Sequence, residues 1–179
     1  MEYVPYYCEE NIWRRLSLPA SAERWAILIF GLEASFAMLR QRAGRTGDGL
    51  IFWDYHAIAL ERGPGEDALT FDYDTELSFG IEAGTYLEAS FGLIGNDSPY
   101  APRFRVLDGA EYARRLYSNR SHMTAEDGSW LATPPPWPHP GAGIPVSDRW
   151  PLADLLDPRR ESPGAVLDLR SLIAFIGQV

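Results

Sequence analysis

The chain has one cysteine, Cys8, so it forms no internal disulfide and builds no cysteine-rich zinc site. Positive charge is scarce. Sixteen Lys and Arg stand against 25 Asp and Glu, a net charge of −9. Such a surface repels phosphate backbones and argues against DNA or RNA as a partner, while tolerating cationic groups such as the free amino terminus of a peptide. Long apolar runs are also missing. The longest, residues 25–32, is far short of the ~20 residues that span a bilayer. Residues 1–16 carry Glu9, Glu10, Arg14 and Arg15 and no apolar run, unlike a signal peptide or an anchor. The expectation is a soluble, cytoplasmic protein with no membrane partner.

What is present suits one catalytic domain over residues 1–179. Hydrophobic residues make up 46% and aromatics 13%, which excludes a disordered chain. No internal repeat or linker interrupts it. Residues 1–7 read as an extended aromatic arm, with Pro5 disfavouring helix before it. From Cys8 the acids Glu9 and Glu10 are followed by Ile12, Trp13 and Leu16 on one face. This predicts a helix that starts at or beside Cys8 and ends by Leu18-Pro19. Residues 22–31 read as a buried strand, 33–43 as a short amphipathic helix, and 50–60 and 68–75 as two strands around a turn at 62–67. Helices are expected over 82–92, 108–116 and 167–176, with a short strand at 104–107. Residues 118–149 are irregular and too long for an idle connection, so they are expected to wrap the molecule or serve a functional loop. The fold class is therefore α+β, with a mostly antiparallel sheet.

The two middle strands carry the chemistry. A turn centred on Pro64 would set His56 opposite Asp72 and Asp54 opposite Asp74. Positions 54, 56 and 58 would then share a face with 70, 72 and 74. A carboxylate beside an imidazole fixes its tautomer and stabilises its cation. A cysteine at a helix N-terminus gains thiolate character from the dipole and from a neighbouring imidazolium. Cys8, His56 and Asp72 thus supply the parts of a catalytic triad. Other readings of the same residues stand beside this one. A single cysteine is commonly a small buried hydrophobe, a strand histidine a satisfied structural residue, and Asp72 and Asp74 solvated strand-end acids.

Several motifs extend the pattern. Tyr7-Cys8-Glu9-Glu10-Asn11-Ile12-Trp13 resembles the opening motif of the protein N-terminal glutamine amidohydrolases. Gly47-Asp48-Gly49 followed by Trp53-Asp54-Tyr55-His56 is similar to their second motif, and Phe71-Asp72-Tyr73-Asp74-Thr75 to their third. Phe104-Arg105-Val106, Arg120-Ser121-His122-Met123, the proline run 134–138 and Gly164-Ala165-Val166 follow in the same order. The resemblance implies a single α-β-α sandwich, distantly like transglutaminases and papain-type proteases. It implies a monomer without metal or cofactor that turns N-terminal Gln into Glu and releases ammonia. Its nucleophile matches Cys8, its base His56 and its triad acid Asp72, with Asp74 the second candidate for that last role. In eukaryotes the activity feeds the Arg branch of the N-degron pathway. This chain departs in its shorter segments and its lack of extra cysteines, and its Arg- and Pro-rich style reads as bacterial.

Selectivity for a chain terminus needs a group that reads the α-ammonium. Glu9, Glu10 and Asp54 are the acids for that role, and Trp53 and Trp13 are candidates for the pocket wall. Glu9 and Glu10 as helix-dipole acids, Asp54 as a hairpin brace, and Trp53 and Trp13 as aromatic core packing are the competing readings, the last being favoured for the two tryptophans. Ser121 and His122 either line the site or anchor the long loop, and His139 is expected at the surface. Two rival functions remain at this level: deamidation or transglutamination of internal glutamine, and a catalytically inactive module that binds protein N-termini.

Overall fold

The segment Glu-Arg-Trp-Ala-Ile-Leu-Ile-Phe forms the central strand, β1 (Glu23–Phe30), of the computed structural model, which describes residues 3–178. Its side chains alternate between two buried faces, so both sides of the sheet must be covered. On one side it pairs with β4 (Tyr55–Arg62), on the other with β7 (Arg103–Asp108). Adding β5 (Leu69–Phe71), β6 (Ile81–Glu82) and β10 (Ala165–Leu167) gives a six-stranded sheet in the order β10-β7-β1-β4-β5-β6, antiparallel at every pairing. Two small ladders stand apart. One pairs β2 (Phe36–Met38) with β3 (Ile51–Trp53); the other is parallel and pairs β8 (Leu116–Tyr117) with β9 (Trp150–Pro151).

Ile27, Ile29, Ile58, Leu60, Phe104 and Val106 build one face of the sheet. They pack with residues of α2 (Ala83–Phe91) and α5 (Leu169–Gln178). Ala26, Leu28, Ala57, Ala59 and Leu107 build the other, against α1 (Cys8–Leu16), α3 (Gly109–Arg115) and α4 (Leu152–Leu156). The result is a single α-β-α arrangement of three layers. Each large aliphatic side chain sequestered this way contributes about 1.5–3 kcal/mol. No helix among the described residues is long and apolar enough to cross a membrane.

Four expectations need correction. Residues 33–43 are not helical. Phe36, Ala37 and Met38 are all buried and pair with Ile51–Trp53, and a helix would have turned one of them to solvent. The strand expected over 50–60 breaks at Asp54 into β3, in the small ladder, and β4, in the main sheet. The strand expected over 68–75 stops at Phe71. The hairpin turns about Gly65, not Pro64: Ala59 faces Phe71 and Leu60 faces Thr70. Gly65 has φ +73°, a conformation open to glycine, which explains why the turn centres there. The extended arm expected for residues 1–7 includes Met1 and Glu2, which lie outside the described residues; at Tyr6 the chain takes φ 69° and turns into α1.

Arg105 is the largest fully buried side chain and fastens the C-terminal quarter to the sheet. Its guanidinium donates to the carbonyl oxygens of Leu155, Ser162, Pro163, Gly164 and Asp157. It thereby holds the end of α4 and the approach to β10. Arg105→Met should remove the cap from these carbonyls and cost about 3 kcal/mol or more in urea denaturation; a change within ~0.5 kcal/mol would mean that water replaces the guanidinium.

Candidate active site

The first turn of α1 is tied down before it begins. Asn11 reaches back with its side chain to both the N–H and the C=O of Val4, and the Tyr7 carbonyl accepts from Glu10 and Asn11. The turn that results starts the helix at Cys8. Its amide N–H has no acceptor among the described residues, as expected for a donor in a first helical turn.

His56 lies near the start of β4, on the sheet face toward α2, and is buried. Its Nε2 is 2.9 Å from Asp72 Oδ1, and its ring stacks on Trp53 with centroids 5.4 Å apart. The hairpin register would place His56 opposite Asp74. The two-residue offset keeps parity, so Asp72 stays on the His56 face and reaches it diagonally from beyond the end of the ladder. The Asp72 carboxylate is fully engaged. Oδ1 also accepts the backbone N–H of Asp74, while Oδ2 accepts from Gln41 Nε2 at 3.0 Å and Tyr86 OH at 2.8 Å. Neither Gln41 nor Tyr86 was evident from the sequence. They come from the turn after β2 and from α2, and no local pattern links them to Asp72.

The electrostatics follow from this geometry. Burial alone would depress the His56 imidazole, but the Asp72 charge and hydrogen bond, with the contact to Cys8, hold it well above its ordinary value. Burial works against the Asp72 carboxylate, yet the His56 charge and the converging donors keep it below the usual range. Burial pushes the Cys8 thiol up to about 11, against the nearby His56 imidazole, which favours the thiolate. Cys8 Sγ lies 3.9 Å from Glu9 Oε2, and His56 Nδ1 has no hydrogen-bond partner among the described residues.

Glu9 and Glu10, expected as dipole acids or ammonium readers, are both buried and both occupied. Glu10 forms a two-pronged ion pair with Arg120, at 2.7 and 2.8 Å, and accepts Trp137 Nε1. Arg120 also donates to the carbonyls of Pro135 and Trp137, so the long irregular segment wraps onto α1 through this pair. Glu9 accepts from Tyr55 OH at 3.0 Å and Ser118 Oγ at 3.1 Å, and His122 Nε2 lies 3.1 Å from the same Tyr55 oxygen. Tyr55 and His56 are consecutive on β4 and point to opposite faces, one holding the first turn of α1 and the other meeting Asp72.

Cys8, His56 and Asp74 open onto a cavity of about 720 Å³, within the range of small-molecule sites. Trp53, Asp54 and Tyr55 line it on one side, and Ser118, Ser121 and His122 on another. Asp54 is exposed, sits at the break between β3 and β4, and has no hydrogen-bond partner among the described residues. Glu9 and Glu10 do not line the cavity. Trp13 is turned into the core, donating to the Ala113 carbonyl. His139 is half-buried with its ring edge-on to Tyr117, a correction to the surface position expected for it. Donor atoms of His56, Asp72 and Asp74 lie within 4.8 Å of one another, close enough to share a cation. However, His56 Nε2 and both Asp72 oxygens already have hydrogen-bond partners.

A thiol at a helix start and a buried imidazole–carboxylate pair, opening on one cavity, belong to the chemistry of amide hydrolysis. Residues 3–176 match the family model described as N-terminal glutamine amidase. The chain belongs to this family and is an amidohydrolase. It is 33% identical over 143 residues to the human protein named protein N-terminal glutamine amidohydrolase, covering 76% of this chain and 69% of the relative. A protein of the same name from Oryza sativa subsp. indica is 34% identical over 145 residues, covering 74% and 63%. One from Drosophila willistoni is 32% identical over 146 residues, covering 76% and 70%.

Burial raises the Glu9 carboxyl to about 7 from an ordinary value of 4.5. Between those values the folded chain holds a proton that the unfolded chain has released, so the Glu9 contribution is greatest below about 4.5 and falls as pH rises through 7. Urea denaturation at pH 5 and pH 8 should show the wild type losing on the order of 2–3 kcal/mol more than Glu9→Gln over that interval. Identical pH dependence in the two proteins would mean that Glu9 folds as a carboxylate.

Proposed function

We propose that this chain hydrolyses the side-chain amide of an N-terminal glutamine in proteins and peptides, giving glutamate and ammonia. Cys8 is the nucleophile, His56 the proton carrier and Asp72 the group that orients it. The observation that supports this is the His56–Asp72 pair at 2.9 Å, opening with the helix-borne Cys8 onto one cavity in a member of the N-terminal glutamine amidase family. We read residues 1–179 as one catalytic domain, monomeric, cytoplasmic and of bacterial type, and its fold as distantly akin to transglutaminases and papain-like enzymes.

The chemistry divides into two steps. A thiol held near 11 loses little proton to solvent, so the thiolate forms by transfer to an imidazole that Asp72 has made a stronger acceptor. The sulfur attacks the carboxamide carbon. The unpaired Cys8 N–H at the positive end of α1 is a donor for the oxyanion. His56 then gives its proton to the amide nitrogen, the C–N bond breaks with its electron pair on nitrogen, and ammonia leaves a glutamyl thioester. Neutral His56 next takes a proton from water, hydroxide adds to the thioester, and the carboxylate departs as Cys8 regains its proton. Asp54, free on the cavity wall, is our assignment for the group that reads the α-ammonium, and Trp53 forms the wall beneath it.

Ammonia release from a short peptide beginning with Gln, compared with its N-acetylated twin, tests the proposal. Release is expected from the free peptide alone. Cys8→Ala and His56→Ala should abolish it, and Asp72→Asn should slow it on the order of 10²–10⁴-fold. Equal release from both peptides would move the activity to internal glutamine. No release from either would leave an N-terminus-binding module.

A further inference from the structure

Asp74 is the one acid of the site that the mechanism above does not use. It is 8% exposed, yet it lines the cavity together with Cys8 and His56. Tyr3 OH donates to its Oδ1, while no donor among the described residues reaches its Oδ2. One of its oxygens lies within 4.8 Å of a His56 ring nitrogen. No arginine forms an ion pair with it among the described residues. A buried carboxylate with an open lone-pair side, beside the imidazole that must deliver a proton, is placed to accept an N–H from whatever occupies the cavity.

A carboxamide is nearly symmetric in shape, and its two ends must not be exchanged. The nitrogen has to face His56, and the oxygen has to face the start of α1. An acceptor-only group beside His56 draws the NH₂ end and rejects the C=O end. The same group acts on the later species. When the amide nitrogen takes its proton it becomes cationic, which a neighbouring carboxylate stabilises. After hydrolysis the product carries a carboxylate where the amide lay, and like charges then repel.

We propose that Asp74 is the specificity residue for the reacting group, binding the carboxamide nitrogen of glutamine and expelling the glutamate product. This rests on the N-terminal glutamine reading above. It gives Asp74 a role separate from that of Asp72. Asp72 acts through His56, whereas Asp74 contacts the substrate.

The test is Asp74→Asn in the full chain, which preserves size and keeps an acceptor for Tyr3. Turnover of a Gln-starting peptide should fall at least about tenfold in kcat, while inhibition by the matching Glu-starting peptide should tighten at least about tenfold. A structural role would weaken both together. Unchanged inhibition by the Glu peptide in an otherwise active variant would overturn the assignment. Should Asp74→Asn fail to fold, calorimetry on Cys8→Ala decides. The Gln peptide should bind at least about tenfold more tightly than the Glu peptide, and equal binding overturns the proposal. A wild type that releases no ammonia from the Gln peptide would instead remove the reading on which Asp74 depends.

Discussion

A buried carboxylate must be fully compensated or it will not stay charged, and the site is arranged around that requirement at Asp72. Four groups meet it: the imidazole of His56, the amide of Gln41, the hydroxyl of Tyr86 and the backbone N–H of Asp74. They come from β4, from the turn after β2, from α2 and from the segment after β5. Tying these together fixes the imidazole in position and keeps Asp72 ionised. The break of the long strand at Asp54 follows the same logic. It lets β3 pair with β2, and Gln41, shortly beyond β2, bridges to Thr75 beside Asp72.

Cys8 is held by a second set of polar contacts. Glu10 with Arg120, and Glu9 with Tyr55 and Ser118, anchor the first turn of α1 from two sides. Arg120 and Ser118 belong to the irregular stretch that follows α3, so the loop and the helix start depend on each other. Removing Arg120 leaves the Glu10 charge buried without compensation, which costs several kcal/mol. The cavity wall formed by Ser118, Ser121 and His122 is therefore set by the same contacts that place Cys8.

Charge and apolar surface divide the cavity. Asp54 and Asp74 give it an anionic bias that suits a substrate carrying an ammonium and releasing ammonia. Leu131, Pro151, Leu152 and Leu156 supply an apolar side. Arg105, capping carbonyls at the end of α4, holds that side to the sheet from the opposite direction.

Local chemistry made part of this legible in the sequence. The acids after Cys8 and the apolar spacing of Ile12, Trp13 and Leu16 mark a helix start, because dipole and periodicity act within one turn. The shared face of His56 and Asp72 was also readable. Side chains alternate with period two, so moving the turn from Pro64 to Gly65 shifted the pairing by two residues and left parity intact. Three consecutive buried residues at 36–38 carried no such signal, which is why a helix was expected where β2 lies. The burial of Glu9 and Glu10, the support of Asp72 by Gln41 and Tyr86, and the open side of Asp74 were decided only by the tertiary structure. Each depends on a partner brought from a distant part of the chain, Arg120 and Ser118 lying more than 100 residues from the acids they hold. Sequence periodicity reports which face a residue takes, whereas the compensation of a buried charge depends on which segments the fold stacks against that face.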